Sequence, residues 1–127
     1  MKYLNDYMEN AQTRLFDKTG AFFAFSTSQF DEAKKEGVKY VSVGAGMICP
    51  KENTKELIET LDSIYNGAIK KDLKENGKEA IIKRELYNYE CFYTGDISDA
   101  VENLDSYGFT REEIYSIYQS EYPNAEL

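Results

Sequence analysis

A chain of 127 residues, 42% hydrophobic and 14% aromatic, suits one compact domain and is too apolar to stay disordered despite 30% charged residues. It contains no histidine, which removes the commonest general base and metal ligand and excludes Ser-His and Cys-His nucleophile activation. The net charge of −8 disfavours nucleic acid as a ligand and favours a basic protein surface.

In chain order, residues 2–17 read as a helix, with Leu4, Met8, Ala11 and Leu15 on one face and Gly20 as its stop. "AFFAF" (21–25) is expected to be a buried strand. Ser26 opens a helix at 27–36, with Gln29 completing a capping box, Phe25 and Phe30 forming a hydrophobic staple, and Gly37 closing it. "VKYVSV" (38–43) alternates as a strand, "GAG" breaks it, and "MIC" (47–49) is a third strand. Pro50 is expected to start a long helix, 51–75, that Asn76-Gly77 stops. A fourth helix, 78–93, would place Ile82, Leu86, Tyr89 and Tyr93 on one buried face and leave Tyr87 and Cys91 opposite, with Gly95 as its end. Period-two alternation of Tyr87, Tyr89, Cys91 and Tyr93 also permits a strand at 87–93; the helix is preferred because the Ile82–Leu86 spacing runs into it. Asp96 caps a helix at 97–106. Thr110 caps the last one, 111–121, with a box to Glu113 and a Phe109–Ile114 staple. The expectation is a single α+β domain, 1–127, with a small antiparallel three-stranded sheet (21–25, 38–43, 47–49) covered by helices and a helical C-terminal half.

Motifs for chemistry are few. "GAGMIC" starts like a dinucleotide loop but has Cys49 where the third glycine belongs, so a bend between strands explains it better. Cys49 and Cys91 are read as reduced, buried thiols rather than nucleophiles. Asp96, Asp99, Glu102 and Asp105 recur at a spacing of three, which makes a solvated helix face and not a calcium loop. The 97–121 hairpin lacks the basic second helix of a DNA reader. No cofactor, metal site, catalytic residue or membrane span is expected; no stretch approaches the roughly 20 apolar residues that cross a bilayer.

Charge and tyrosine are uneven. From Glu85 onward the chain has ten acids, Glu85, Glu90, Asp96, Asp99, Glu102, Asp105, Glu112, Glu113, Glu121 and Glu126, against Arg111 alone. Seven of the eleven tyrosines fall in the same region: Tyr87, Tyr89, Tyr93, Tyr107, Tyr115, Tyr118 and Tyr122. Tyrosine gives large contact area at low entropic cost, and carboxylates can stand where phosphates would sit in a basic groove. Glu90, Asp99, Glu102, Asp105, Glu112 and Tyr115 are therefore the candidate contact residues.

The turn in "AVENLDSYGFTREEIYSIY" resembles that of a ubiquitin-associated domain, although any well-capped helical hairpin yields the same letters. More broadly, "KKEGVKYVSVGAGMICPKEN" and "YTGDISDAVENL" resemble small proteins of phages and mobile elements in low-GC or gut bacteria, and twelve Lys to three Arg fit AT-rich coding. That resemblance implies a non-enzymatic, anti-CRISPR-like inhibitor of a bacterial defence nuclease such as Cas9, acting in the host cytoplasm through the acidic surface without contacting nucleic acid itself. A regulatory or adaptor module of the element, acting through the C-terminal hairpin, is the alternative.

Overall fold

A computed structural model describes residues 1–125; Glu126, counted among the acids above, lies outside them. The chain is α+β, and its contacts divide it into two compact units, Met1–Ala68 and the segment from Ile69 onward.

In the first unit, helix α1 (Leu4–Thr19) starts where the Tyr3 N–H donates to Asp6 Oδ2 at 2.8 Å and ends at Gly20, which takes the left-handed conformation (φ 79°). Strands β1 (Phe22–Phe23), β2 (Tyr40–Gly44) and β3 (Met47–Pro50) form an antiparallel sheet in the order β1-β3-β2. Ala45 and Gly46, both at positive φ, turn β2 into β3 as a hairpin. The Phe25 ring lies over Gly46, so a Cβ there would also displace that ring.

The core of this unit gathers Leu15, Ala21, Cys49 and Leu57, flanked by Phe16, Val43, Met47, Leu61 and Ile64. "AFFAF" is not the buried strand expected. Only Phe22 and Phe23 pair, and they do so at a sheet edge. Alternation along the strand turns Phe22 toward Phe30 and Tyr40 and leaves Phe23 and Phe25 stacked on each other, 53% and 74% exposed. The Phe25–Phe30 staple is thereby replaced by a Phe22–Phe30–Tyr40 cluster.

Helix α2 (Thr27–Ala33) has the expected Ser26 cap, which accepts from the Gln29 N–H at 3.2 Å. It is three residues shorter than 27–36, because the Lys35 N–H is taken by the Tyr40 hydroxyl and Lys34 is already extended. Pro50 belongs to β3. A single 3-10 turn, Lys51–Asn53, precedes helix α3 (Thr54–Asn88).

Helix α3 is interrupted at Gly77 (φ 76°, ψ 162°), where the Asn76-Gly77 stop was expected. In the second unit the chain leaves this helix at Asn88, and Glu90 adopts the left-handed conformation (φ 54°) before the short helix α4 (Cys91–Thr94). Helix α5 (Ser98–Leu104), a 3-10 turn (Asp105–Tyr107) and helix α6 (Arg111–Glu121) complete it. Thr110 and Glu113 make the reciprocal capping box of α6. Ile81, Ile82, Leu86, Cys91, Ala100, Leu104 and Ile114 are fully buried.

The break at Glu90 overturns one expectation. A continuous helix would bury Tyr89 and Tyr93; instead these are 37% and 77% exposed, while Cys91 and Phe92 are buried. A left-handed residue re-aims the helix that follows it, so the face set by Ile82 and Leu86 passes to Cys91 and Phe92.

Candidate functional site

The six residues singled out from sequence, Glu90, Asp99, Glu102, Asp105, Glu112 and Tyr115, are all exposed and all lie in the second unit. The structure brings them into two groups. Asp99 and Glu102, on α5, lie near Tyr89, whose phenol is pushed up by burial and by the charges of Glu85, Asp99 and Glu102. Tyr115 belongs to a row of rings. Its centroid is 5.9 Å from Tyr118, and Tyr118 is 5.8 Å from Tyr122. Tyr118 also stacks on Phe92 (5.1 Å, 8°), which in turn meets Tyr87 at 4.8 Å. Glu90 meets the ring group through its backbone N–H, which donates to the Tyr87 carbonyl at 3.1 Å, and the Asp105 N–H donates to the Glu102 carbonyl, while Glu112 lies three residues before Tyr115 on α6.

The row follows from helix geometry. Tyr115, Tyr118 and Tyr122 are spaced three and four apart, which puts their side chains on one face of α6 and its continuation. Phe92, only 4% exposed, supports them, because the turn at Glu90 aims it inward. The outer rings stay available: Tyr87, Tyr115 and Tyr122 are 46%, 48% and 49% exposed. Burial, then the neighbouring phenols Tyr122 and Tyr115, raise the Tyr118 phenol, so that ring is uncharged at neutral pH. Tyr87, Phe92, Tyr118 and Tyr122 were absent from the sequence-derived set. Their signal was the i, i+3, i+7 tyrosine spacing in α6, which marks a face without saying whether it is buried.

The acidic segment is less negative in space than in sequence. Glu85 is buried against Arg84 (Nε to Oε2, 2.6 Å), Glu113 pairs with Lys78, and Glu121 pairs with Lys83 at 3.0 Å. Bases of α3 thus answer three of its carboxylates, Glu85 on α3 itself and Glu113 and Glu121 on α6. Asp96 accepts from the Ser98 N–H at 2.9 Å and is held below its usual range by hydrogen bonds from Ser98, with a contribution from Arg111. Among the described residues of this segment, the exposed carboxylates outside those ion pairs are the five of the candidate set together with Asp96.

Sequence reasoning missed a buried polar network altogether. Asp72 is fully buried and accepts from Arg84 Nη1 and Nη2 at 2.9 Å each, from Asn76 at 2.8 Å and from the Tyr107 hydroxyl at 2.5 Å. Residues twelve apart in a straight helix lie about 18 Å apart along the axis, so the bidentate pair requires the chain to fold back at Gly77. Asn88 and Asn103 donate to Glu85, the other acid on Arg84. Among the described residues no buried side-chain polar atom lacks a partner. Burial alone would raise the Asp72 carboxyl, but the bonds from Arg84, Tyr107 and Asn76 outweigh it and hold it low. The Tyr107 phenol is raised, first by burial and then by Asp72. One signal was available: Asp72 follows the apolar Ala68 and Ile69 at the helical spacing of a buried face.

Cys49 and Cys91 are free and fully buried, and burial pushes both thiols up, Cys91 also through Asp96 and Asp99. Neither is poised as a nucleophile. In the first unit a shallow cavity of about 190 Å³ lies among Gln12, Thr13, Phe16, Phe23, Met47 and Leu61. Among the described residues no group of three or more His, Cys, Asp or Glu side chains could hold a metal ion, and no helix is long and apolar enough to cross a membrane.

Comparison with known proteins returns one family, described as DUF7659, a family of unknown function, which matches residues 4–121. No curated protein and no solved structure matches the chain.

Proposed function

We propose that this chain, which belongs to the DUF7659 family, acts without chemistry of its own, by binding a basic protein surface through the acidic, tyrosine-bearing face of its C-terminal unit. The finer reading is an inhibitor of a bacterial defence nuclease, of the anti-CRISPR kind, whose nucleic-acid groove this face would occupy in place of phosphates.

One observation carries the reading. Glu90, Asp96, Asp99, Glu102, Asp105 and Glu112 remain exposed after the ion pairs of the unit are formed, with Arg111 the only base after Arg84. Exposed carboxylates of one sign steer a basic partner and repel nucleic acid. A non-enzymatic role is supported by the lack of histidine and by two thiols whose burial disfavours the reactive thiolate.

The test is inhibition of DNA cleavage by purified CRISPR effector nucleases, comparing the wild type with Asp99→Lys/Glu102→Lys/Asp105→Lys. The wild type should suppress cleavage and the triple variant, checked for folding by circular dichroism, should not. Equal inhibition by the two would sink the charge argument, and no inhibition by the wild type would sink the nuclease reading. The capped α5–α6 hairpin supports a second reading, a regulatory or adaptor module of a mobile element. In that case the same triple variant would lose a basic partner that is not a nuclease.

A further inference from the structure

We propose that the Tyr115–Tyr118–Tyr122 row reads arginine: guanidinium groups of an arginine-rich protein segment stack on its exposed rings while the neighbouring Glu112 carboxylate accepts hydrogen bonds from them. The proposal rests on the reading of this face as a protein-binding surface and goes further by naming the chemistry of the partner.

The geometry suits a flat cation. Tyr115 and Tyr118 are close to parallel (18°), and Tyr118 is stacked on the buried Phe92 (8°), so the platform is held in place before any partner arrives. Tyr115 and Tyr122 expose about half of their surface at its two ends. The ring faces of the row are the attraction for a cation. Carboxylates flank the row. Glu112 lies three residues before Tyr115, a neighbour on the helix surface, whereas Glu121 is held by Lys83 at 3.0 Å and accepts a long hydrogen bond from the Tyr87 hydroxyl (3.4 Å), so Glu112 is the carboxylate beside the row that is open to a guanidinium.

Charge complementarity selects the occupant. An aromatic platform of this kind would also stack nucleic-acid bases, but such platforms work beside cations that track the backbone, and Arg111 is the only base on α5 or α6. Arginine is preferred to lysine because the guanidinium is planar, weakly hydrated and able to stack and donate to a carboxylate together, whereas an ammonium is a strongly hydrated point charge.

The experiment measures binding of the full chain to two synthetic peptides by fluorescence anisotropy. One alternates arginine with serine; the other carries lysine at the same positions. The arginine peptide should bind roughly tenfold more tightly, the size of shift expected when several exposed stacking contacts act together. In Tyr115→Ala/Tyr122→Ala the preference should vanish, while Tyr115→Phe/Tyr122→Phe should keep it, because the ring and not the hydroxyl makes the contact. Equal binding of the two peptides by the wild type would overturn arginine reading and leave the acidic-surface proposal standing. An undiminished preference in the alanine variant would do the same. Binding of neither peptide would overturn both.

Discussion

Asp72 carries the most consequential single-residue interactions in the second unit. Its carboxylate is fully buried and answered by Arg84, Asn76 and Tyr107. Arg84→Met should therefore cost about 3–5 kcal/mol, read from urea denaturation, because it leaves an uncompensated buried charge. Tyr107→Phe, which keeps the ion pair, should cost only about 1.5–3 kcal/mol. The pH dependence has a definite sign. The Asp72 carboxyl is lowered in the folded chain, so its contribution is complete above the unfolded value of about 3.9 and is lost as pH falls through the folded value. The Tyr107 phenol is raised, so its contribution is complete below about 10 and lost as pH rises through the folded value. Denaturation midpoints measured across pH should fall on both sides, and Tyr107→Phe should flatten the alkaline fall. A wild-type midpoint that stays level down to pH 2 would contradict the role given to Asp72. Both cysteines, fully buried and raised, should react with a thiol reagent only after unfolding; rapid labelling of the native chain would refute that.

At the scale of elements, two backbone positions decide the second unit. Gly77 sits at φ 76°, ψ 162°, a conformation open to glycine almost alone. Gly77→Ala should destabilise by about 1–3 kcal/mol, even though a Cβ there would meet no neighbour. A loss near zero would mean that α3 can run straight and that the Asp72–Arg84 pair does not hold the fold back. Glu90, at φ 54°, is the second position. The break at Gly77 was legible because Asn-Gly is a strong stop signal. The one at Glu90 was not: nothing in "YNYECFY" marks a left-handed residue, and the Ile82–Leu86 period runs straight across it. The caps at Ser26 and Thr110 were legible because capping is local, confined to residues three apart. "AFFAF" misled because aromatic content predicts a strand without saying which strand is at the edge.

For the whole molecule, charge governs the proposed function. The net charge of −8 is a property of composition, but the field at a surface depends on which carboxylates are answered. Lys78, Lys83 and Arg84 answer Glu113, Glu121 and Glu85, so among the described residues from Glu85 onward the exposed negative charge rests on Glu90, Asp96, Asp99, Glu102, Asp105 and Glu112. Binding carried by these should weaken with added salt, since exposed charges are screened within about 10 Å at 0.1 M. The Asp99→Lys/Glu102→Lys/Asp105→Lys variant should lose that salt dependence along with its affinity. Affinity that is flat with salt in the wild type would argue for an apolar contact in place of the acidic one.

The sequence by itself determined the α+β class, the helical C-terminal half, the stops at Gly20, Gly77 and Gly95, and the caps at Ser26 and Thr110, all of which are written in residues a few positions apart. It also excluded histidine chemistry, because a chain without histidine cannot regain it by folding. Only the tertiary structure decided that Tyr93 faces outward and Phe92 inward, that Glu113 and Glu121 are answered by bases from another helix, and that Asp72 meets Arg84 and Tyr107. Those outcomes join residues twelve to forty positions apart, or hinge on one left-handed backbone position. Local periodicity holds no information about either.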